Sequence, residues 1–237
     1  MDNDDYRRGR LTSHKVYGEA LAILSGDCLL TLAFETIAGS ELDAGRRAEL
    51  VRILGTAAGG RGMVGGQVLD LEAERGSFLS KLSAGTAGVQ NHCSAEVSDS
   101  CRNMSNQTSE TRVEELTQIH RMKTGALIAA SLEMGAVSAG ASSERRQKLR
   151  EYGHCIGLAF QIADDLLDVT GDAAKLGKTP GRDIDLGKLT YPALLGMDAS
   201  RQKAMALIQD ACESVQIFGD SSQHLQELAR FIVERDH

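Results

Sequence analysis

Apolar residues recur every three to four positions along most of the chain, the spacing of helices that bury one face. That pattern predicts helices over residues 15–38, 43–70, 113–139, 144–171, 199–216 and 221–235. Gly39-Ser40 closes the first, and Ser142-Ser143-Glu144 opens the fourth with a capping signature. The densest apolar stretch, Ala20 to Phe34, is short for a membrane span and carries Ser25, Gly26 and Asp27, so it reads as a buried core helix. The second helix holds Gly59, Gly60, Gly62, Gly65 and Gly66. Glycine weakens a helix interior, so tight packing against a neighbouring helix is the expectation there. From Gly76 to Arg112 the period vanishes and Ser, Gly, Asn and Thr dominate, which predicts an irregular, flexible insertion over 77–112.

Composition fits this pattern. With 237 residues, only 2 Pro and 4% aromatics, the chain reads as one all-α domain over 1–237. A net charge of −7 argues against a nucleic-acid partner but leaves an anionic small molecule open, since local Lys and Arg decide that. The polar N-terminus shows no secretory leader, and five Cys lack framework spacing, which together suggest a reducing, cytoplasmic setting. Cys28 and Cys155 sit in apolar helical contexts and read as core. His14, His120 and His154 read as structural or surface residues, with no Cys/His metal spacing among them. Asn103 and Asn106 match the glycosylation pattern and read as chance matches.

Asp164, Asp165 and Asp168 change the picture most. They sit inside Gly157-Leu-Ala-Phe-Gln-Ile-Ala-Asp-Asp-Leu-Leu-Asp-Val169, where a helix puts Asp164 and Asp168 one turn apart on one face with Asp165 beside them and Gln161 a turn earlier. Two such carboxylates, roughly 6 Å apart at an effective dielectric of about 20, repel by about 3 kcal/mol. Two readings fit: a solvated polar stripe, or a cavity wall whose charge is met by a divalent cation. Oxygen-only ligands favour Mg²⁺, which keeps waters and bridges to phosphates. A second acidic patch, Asp2, Asp4 and Asp5, precedes Arg7-Arg8-Gly9. Lys123-Thr124, Lys178-Thr179 and Lys188 follow downstream. Carboxylates for metal and separate cations for phosphate suit a polyphosphate ester.

These residues also carry a resemblance. Met1-Asp-Asn-Asp-Asp-Tyr-Arg-Arg-Gly-Arg-Leu-Thr-Ser-His14 is similar to the end of the first aspartate-rich motif of short-chain polyprenyl diphosphate synthases. Lys123-Thr124-Gly125 resembles that family's Lys-Thr-Gly, and Phe160-Gln161 through Asp168 its second aspartate-rich motif. Gly177-Lys178-Thr-Pro-Gly-Arg-Asp183 and Lys188-Leu-Thr-Tyr-Pro192 follow in the family's order. The first motif departs from the pattern: of Asp-Asp-x-x-x-x-Asp only the last, Asp2, is present. The family's upstream helices, with basic residues and a His for isopentenyl diphosphate, are absent, so an N-terminally incomplete chain or a misassigned start is the expectation. Gly62 to Asp70 resembles a family helix in which Gln67 and Asp70 face the cavity floor; a surface polar pair is the other reading.

The resemblance implies the isoprenoid synthase fold and Mg²⁺-dependent condensation of isopentenyl diphosphate with an allylic diphosphate. It implies Asp2, Asp164, Asp165 and Asp168 as metal ligands. It implies Arg7, Lys123, Thr124, Gln161, Lys178 and Lys188 on the allylic diphosphate and Arg8 on isopentenyl diphosphate, with Asp164 and Lys178 as the catalytic pair. A homodimer is the implied assembly, a heteromer the variant. Two other readings stand beside it: a non-catalytic partner subunit of such a synthase, and a helical interaction module without enzymatic role.

Overall fold

The computed structural model describes residues 3–7, 9–73, 109–170 and 188–235. A two-residue antiparallel hairpin comes first, β1 (Tyr6–Arg7) pairing with β2 (Arg10–Leu11), and every other regular element among the described residues is helical. These are α1 (Ser13–Tyr17), α2 (Glu19–Ala38), α3 (Ala44–Ala58), α4 (63–73), α5 (Ser109–His120), α6 (Ala126–Ser138) and α7 (Ser143–Thr170). Then come α8 (Tyr191–Leu195), α9 (Met197–Ser214) and α10 (Gln223–Glu234). A π-helical turn, Arg121–Gly125, joins α5 to α6, and a 3₁₀ segment, Gln216–Ser222, joins α9 to α10. The all-α expectation therefore holds.

The 28-residue helix α7 is the axis of the fold. Tyr152, Ile156, Ala159 and Ala163 recur at helical spacing along one flank and pack against Ile208, Ala211 and Val215 of α9 and its end and Ala229 and Ile232 of α10. Leu158 and Ile162 face another flank, against Leu116 of α5, Tyr191 of α8 and Ala204 of α9. A separate cluster joins Ile37, Leu50, Ile53 and Ala57 to Ala130 and Val137 of α6. Buried Glu133 of α6 accepts from Arg150 Nε at 2.9 Å, tying α6 to α7.

Glycines set how closely α6 and α7 approach. A Cβ on Gly153 would lie 2.5 Å from Ala129 Cα, and one on Gly157 would lie 2.8 Å from Gly125 Cα. Neither side chain fits without moving backbone, so the π turn rests directly on α7.

Several expectations need correction. The predicted 15–38 helix is broken at Gly18, whose φ of 86° suits glycine. The predicted 43–70 helix is interrupted by a turn over residues 59–62, as five glycines in eight positions weaken helix propagation. Residues 109–112, assigned to the insertion, form the first turn of α5. The rest of the 77–112 insertion lies outside the described residues. Ala20–Phe34 is helical but not buried: Leu21, Ile23, Leu24, Leu29, Leu30 and Leu32 are 49–66% exposed. Helix α2 is apolar all round, and α1 and α3 cover only part of it. Cys28 is exposed with it. By length and composition α2 is also the one helix among the described residues long and apolar enough to cross a membrane.

Candidate functional site

The π turn and the C-terminal half of α7 lie together because the glycine contact brings their backbones into touch. Across that contact the Thr124 hydroxyl donates to Gln161 Oε1 at 2.6 Å. One residue earlier, Lys123 Nζ donates to Asp70 Oδ2 of α4, also at 2.6 Å, with both side chains about a quarter exposed. Helix α4 reaches the turn this closely because Gly66 presses on it: a Cβ there would lie 2.2 Å from the Lys123 backbone nitrogen. The tight packing expected of the glycine-rich helix is thus real, and it brings Asp70 to the candidate residue Lys123.

Following α7 onward from Gln161, the three aspartates part company. Asp164, about two-fifths exposed, is ion-paired with Arg235, the residue just after α10. Asp165 is buried and turns the other way, where its Oδ2 accepts the Tyr191 backbone N–H at 2.9 Å. Asp168 is buried one turn beyond Asp164. The near-equivalent trio read from the sequence is therefore an outward carboxylate, an anchor for α8, and a buried carboxylate below them.

Behind Asp165 lies a packed polar group. The Tyr191 hydroxyl and Thr117 Oγ1 are 2.6 Å apart, and Thr117 Oγ1 in turn donates to Val113 O at 2.6 Å. The Tyr191 and His120 rings pack at 5.6 Å between centroids. Burial pushes the His120 imidazole down to about 4, the nearby Asp70 charge opposing this and Lys123 adding to it. Burial likewise raises the Tyr191 phenol. His120 is neutral and internal here, which leaves the structural one of its two readings, structural or surface.

The other candidates are placed as follows. Arg7 lies in the exposed hairpin, and Lys188 two residues ahead of Thr190, which caps α8. Asp2, Arg8 and Lys178 lie outside the described residues. Gln67 is half-buried on α4. Sequence reasoning missed Arg235 and Thr117, and took in Tyr191 within Lys188–Pro192 without giving it a role. Thr190 followed by Pro192 is a helix-start signal that could have found α8, but Arg235 looks like any basic residue at a helix end.

Among the described residues no three His, Cys, Asp or Glu side chains converge on one point. Asp164 and Asp168 nonetheless offer oxygen only, from one face of one helix. That donor set fits a small hard cation that takes one or two carboxylates and completes its shell with water and phosphate oxygens. Lys123 and the Thr124–Gln161 pair lie on the same stretch of α7 and the turn, and suit phosphate oxygens. The arrangement can hold a cation and a polyphosphate together.

The family model for polyprenyl synthetase matches residues 1–228. The chain is 41% identical over 239 residues to a dimethylallyltranstransferase of Fischerella ambigua (strain UTEX 1903), covering 100% of this chain and 60% of that protein. It is 41% identical over 243 residues to the farnesyl diphosphate synthase of Escherichia coli (strain K12), covering 100% of this chain and 70% of that one. Among solved structures, a Helicobacter pylori geranyltransferase complexed with magnesium and isoprenyl diphosphate superposes with a TM-score of 0.71 at 31% identity, over 99% of this chain and 66% of that one. The chain spans 56–60% of the length of the first curated relatives it matches.

Proposed function

The chain belongs to the polyprenyl synthetase family, and from that premise we propose that its site serves Mg²⁺-dependent transfer of a prenyl group from an allylic diphosphate to isopentenyl diphosphate. The observation that carries this reading is the continuous polar track Asp70–Lys123–Thr124–Gln161 leading to Asp164 and Asp168. In this reading Asp164 and Asp168 hold the cation together with Asp2, which lies outside the described residues. Asp165 contributes by fixing Tyr191 and the start of α8 behind them.

The proposed mechanism follows from what each group can do. Lys123, with Lys178, Lys188 and Arg7, takes the negative charge of the allylic diphosphate, and Arg8 that of isopentenyl diphosphate. Thr124 and Gln161 trade their mutual hydrogen bond for phosphate oxygens. When bound, magnesium supplies further electrostatic neutralisation of the leaving diphosphate. As the allylic carbon–oxygen bond breaks, its electron pair leaves with diphosphate. The double bond of isopentenyl diphosphate forms the new carbon–carbon bond, and a proton is lost, the departed diphosphate being its acceptor. Preorganised cations lower this barrier because charge develops where they already point.

Residues 1–237 are read as one domain, and an assembly, a homodimer or a heteromer, is proposed to cover α2. A non-catalytic partner subunit is the second reading, favoured by that same uncovered helix. A reducing compartment, the cytoplasm, is the proposed setting, since the five Cys lack framework spacing.

Calorimetric titration with a non-hydrolysable geranyl diphosphate analogue, with and without Mg²⁺, tests the site. Binding should require Mg²⁺ and vanish in Asp164→Asn, while Asp198→Asn at the exposed start of α9 leaves it intact. Unchanged binding in Asp164→Asn would sink the assignment. Incorporation of radiolabelled isopentenyl diphosphate separates a catalyst from a partner subunit.

A further inference from the structure

Arg235 is built into the site from the far end of the chain. Its backbone N–H donates to Phe231 O at 3.0 Å, so it sits as the cap of α10. Its guanidinium lies over the Phe160 ring, 4.2 Å from the centroid, and ion-pairs with Asp164 one turn further along α7. The arginine side chain is only 14% exposed. Its Nε is buried and makes no hydrogen bond among the described residues. Stacking on one residue of a helix and pairing with the residue four later fixes both the plane and the direction of the guanidinium, unlike a long side chain swinging over a surface.

A carboxylate oxygen that accepts from arginine has one lone pair already engaged and a positive charge beside it. A divalent cation approaching Asp164 must therefore either bind next to that charge or displace Arg235. A cation that arrives with diphosphate faces no such conflict, because the ligand's negative charge meets the guanidinium as well. We propose that Arg235 is a resident counter-cation of Asp164, which weakens binding of a bare divalent cation and so favours the cation already carrying diphosphate. Arg235 is a positioning residue in this role, acting through Asp164. The inference rests on the proposed metal role of Asp164.

Mn²⁺ binding to the full chain, followed by the electron paramagnetic resonance of free Mn²⁺ with no diphosphate present, tests it. Arg235→Gln should bind Mn²⁺ about fivefold more tightly than the parent, a change of about 1 kcal/mol. Structural damage does not produce a gain of affinity. Asp164→Asn should weaken binding, and adding Arg235→Gln to it should bring no gain. Arg235→Lys, which keeps the charge but loses the fork, should fall between, and it decides the matter if circular dichroism shows Arg235→Gln unfolded. Equal or weaker Mn²⁺ binding by folded Arg235→Gln overturns the proposal, as does a gain that persists without Asp164. If Asp164→Asn weakens Mn²⁺ binding while Arg235→Gln gains nothing, the role of Arg235 alone fails. If Asp164→Asn leaves the parent's Mn²⁺ binding unchanged, the metal reading of Asp164 fails first.

Discussion

Neighbouring aspartates of α7 should separate cleanly into one that holds the fold and one that holds ligand. Asp165 is 6% exposed and accepts the Tyr191 N–H at 2.9 Å. Replacing it with Ala removes a charge-assisted bond and leaves a buried N–H without its acceptor, a cost of about 2–3 kcal/mol. The loss should spread, because Tyr191 also holds Thr117 through its hydroxyl and packs on His120. Asp164, by contrast, is about two-fifths exposed, so solvent screens its pair with Arg235 from that side although the guanidinium itself is largely covered. Ion pairs of that kind contribute about 0–1 kcal/mol. Urea unfolding followed by circular dichroism should therefore place Asp165→Ala about 2 kcal/mol below Asp164→Ala, with similar m-values. For a chain of this size that is a gap of about 4–8 °C in Tm. Calorimetry with Mg²⁺ and the diphosphate analogue should show the reverse order, Asp164→Ala losing binding and Asp165→Ala keeping it below its melting temperature. An Asp165→Ala protein within about 0.5 kcal/mol of the parent, yet unable to bind, would refute the division of labour.

Buried groups and uncovered apolar surface elsewhere in the chain set three further outcomes. Because the folded His120 imidazole is depressed to about 4 from 6.5, the unfolded chain takes up a proton first as pH falls. Stability should therefore drop between pH 6.5 and 4, by about 2 kcal/mol at pH 5, and His120→Gln should remove that part of the decline in urea midpoints. Gly153→Ala should cost about 1–3 kcal/mol in the same assay, since its methyl would press on Ala129; a neutral change would mean the helices separate more easily than their contact suggests. The uncovered leucines of α2 should bind an apolar dye and drive self-association in sedimentation, and Leu24→Ser with Leu30→Ser should reduce both. Unchanged dye binding in the double variant would locate the sticky surface elsewhere.

What the sequence made legible was what helical period determines locally. The buried flank of α7 and the shared face of Gln161, Asp164 and Asp168 needed nothing but residue spacing. The partners of those residues were not legible, because they arrive from distant positions. Asp165 turns to Tyr191, 26 residues on, and Asp164 to Arg235, 71 residues on. Period also states that a helix is apolar without stating what covers it, which is why Ala20–Phe34 looked like core. The glycines of residues 59–66 signalled close packing correctly but not the turn they permit. Nothing in Arg121-Met-Lys-Thr-Gly125 announces a π turn, since its residues are ordinary helix residues apart from the last.

That turn has a consequence for how the gene can change length. A π turn carries one residue more than the α turn it replaces. Deleting any one residue of 121–125 would let the backbone continue as regular α-helix, an improvement judged locally. Because the π turn closes on itself with that extra residue, losing it would leave α5 and α6 close to their present phase. Leu116 could stay beneath α7, and Thr117 beside the Tyr191 hydroxyl. The change would fall on the joint itself, where Lys123 and Thr124 address α4 and α7 from successive positions. A codon lost there should spare the helices on either side and disturb the joint alone, whereas a codon lost within α5 would turn every residue ahead of it by about 100°.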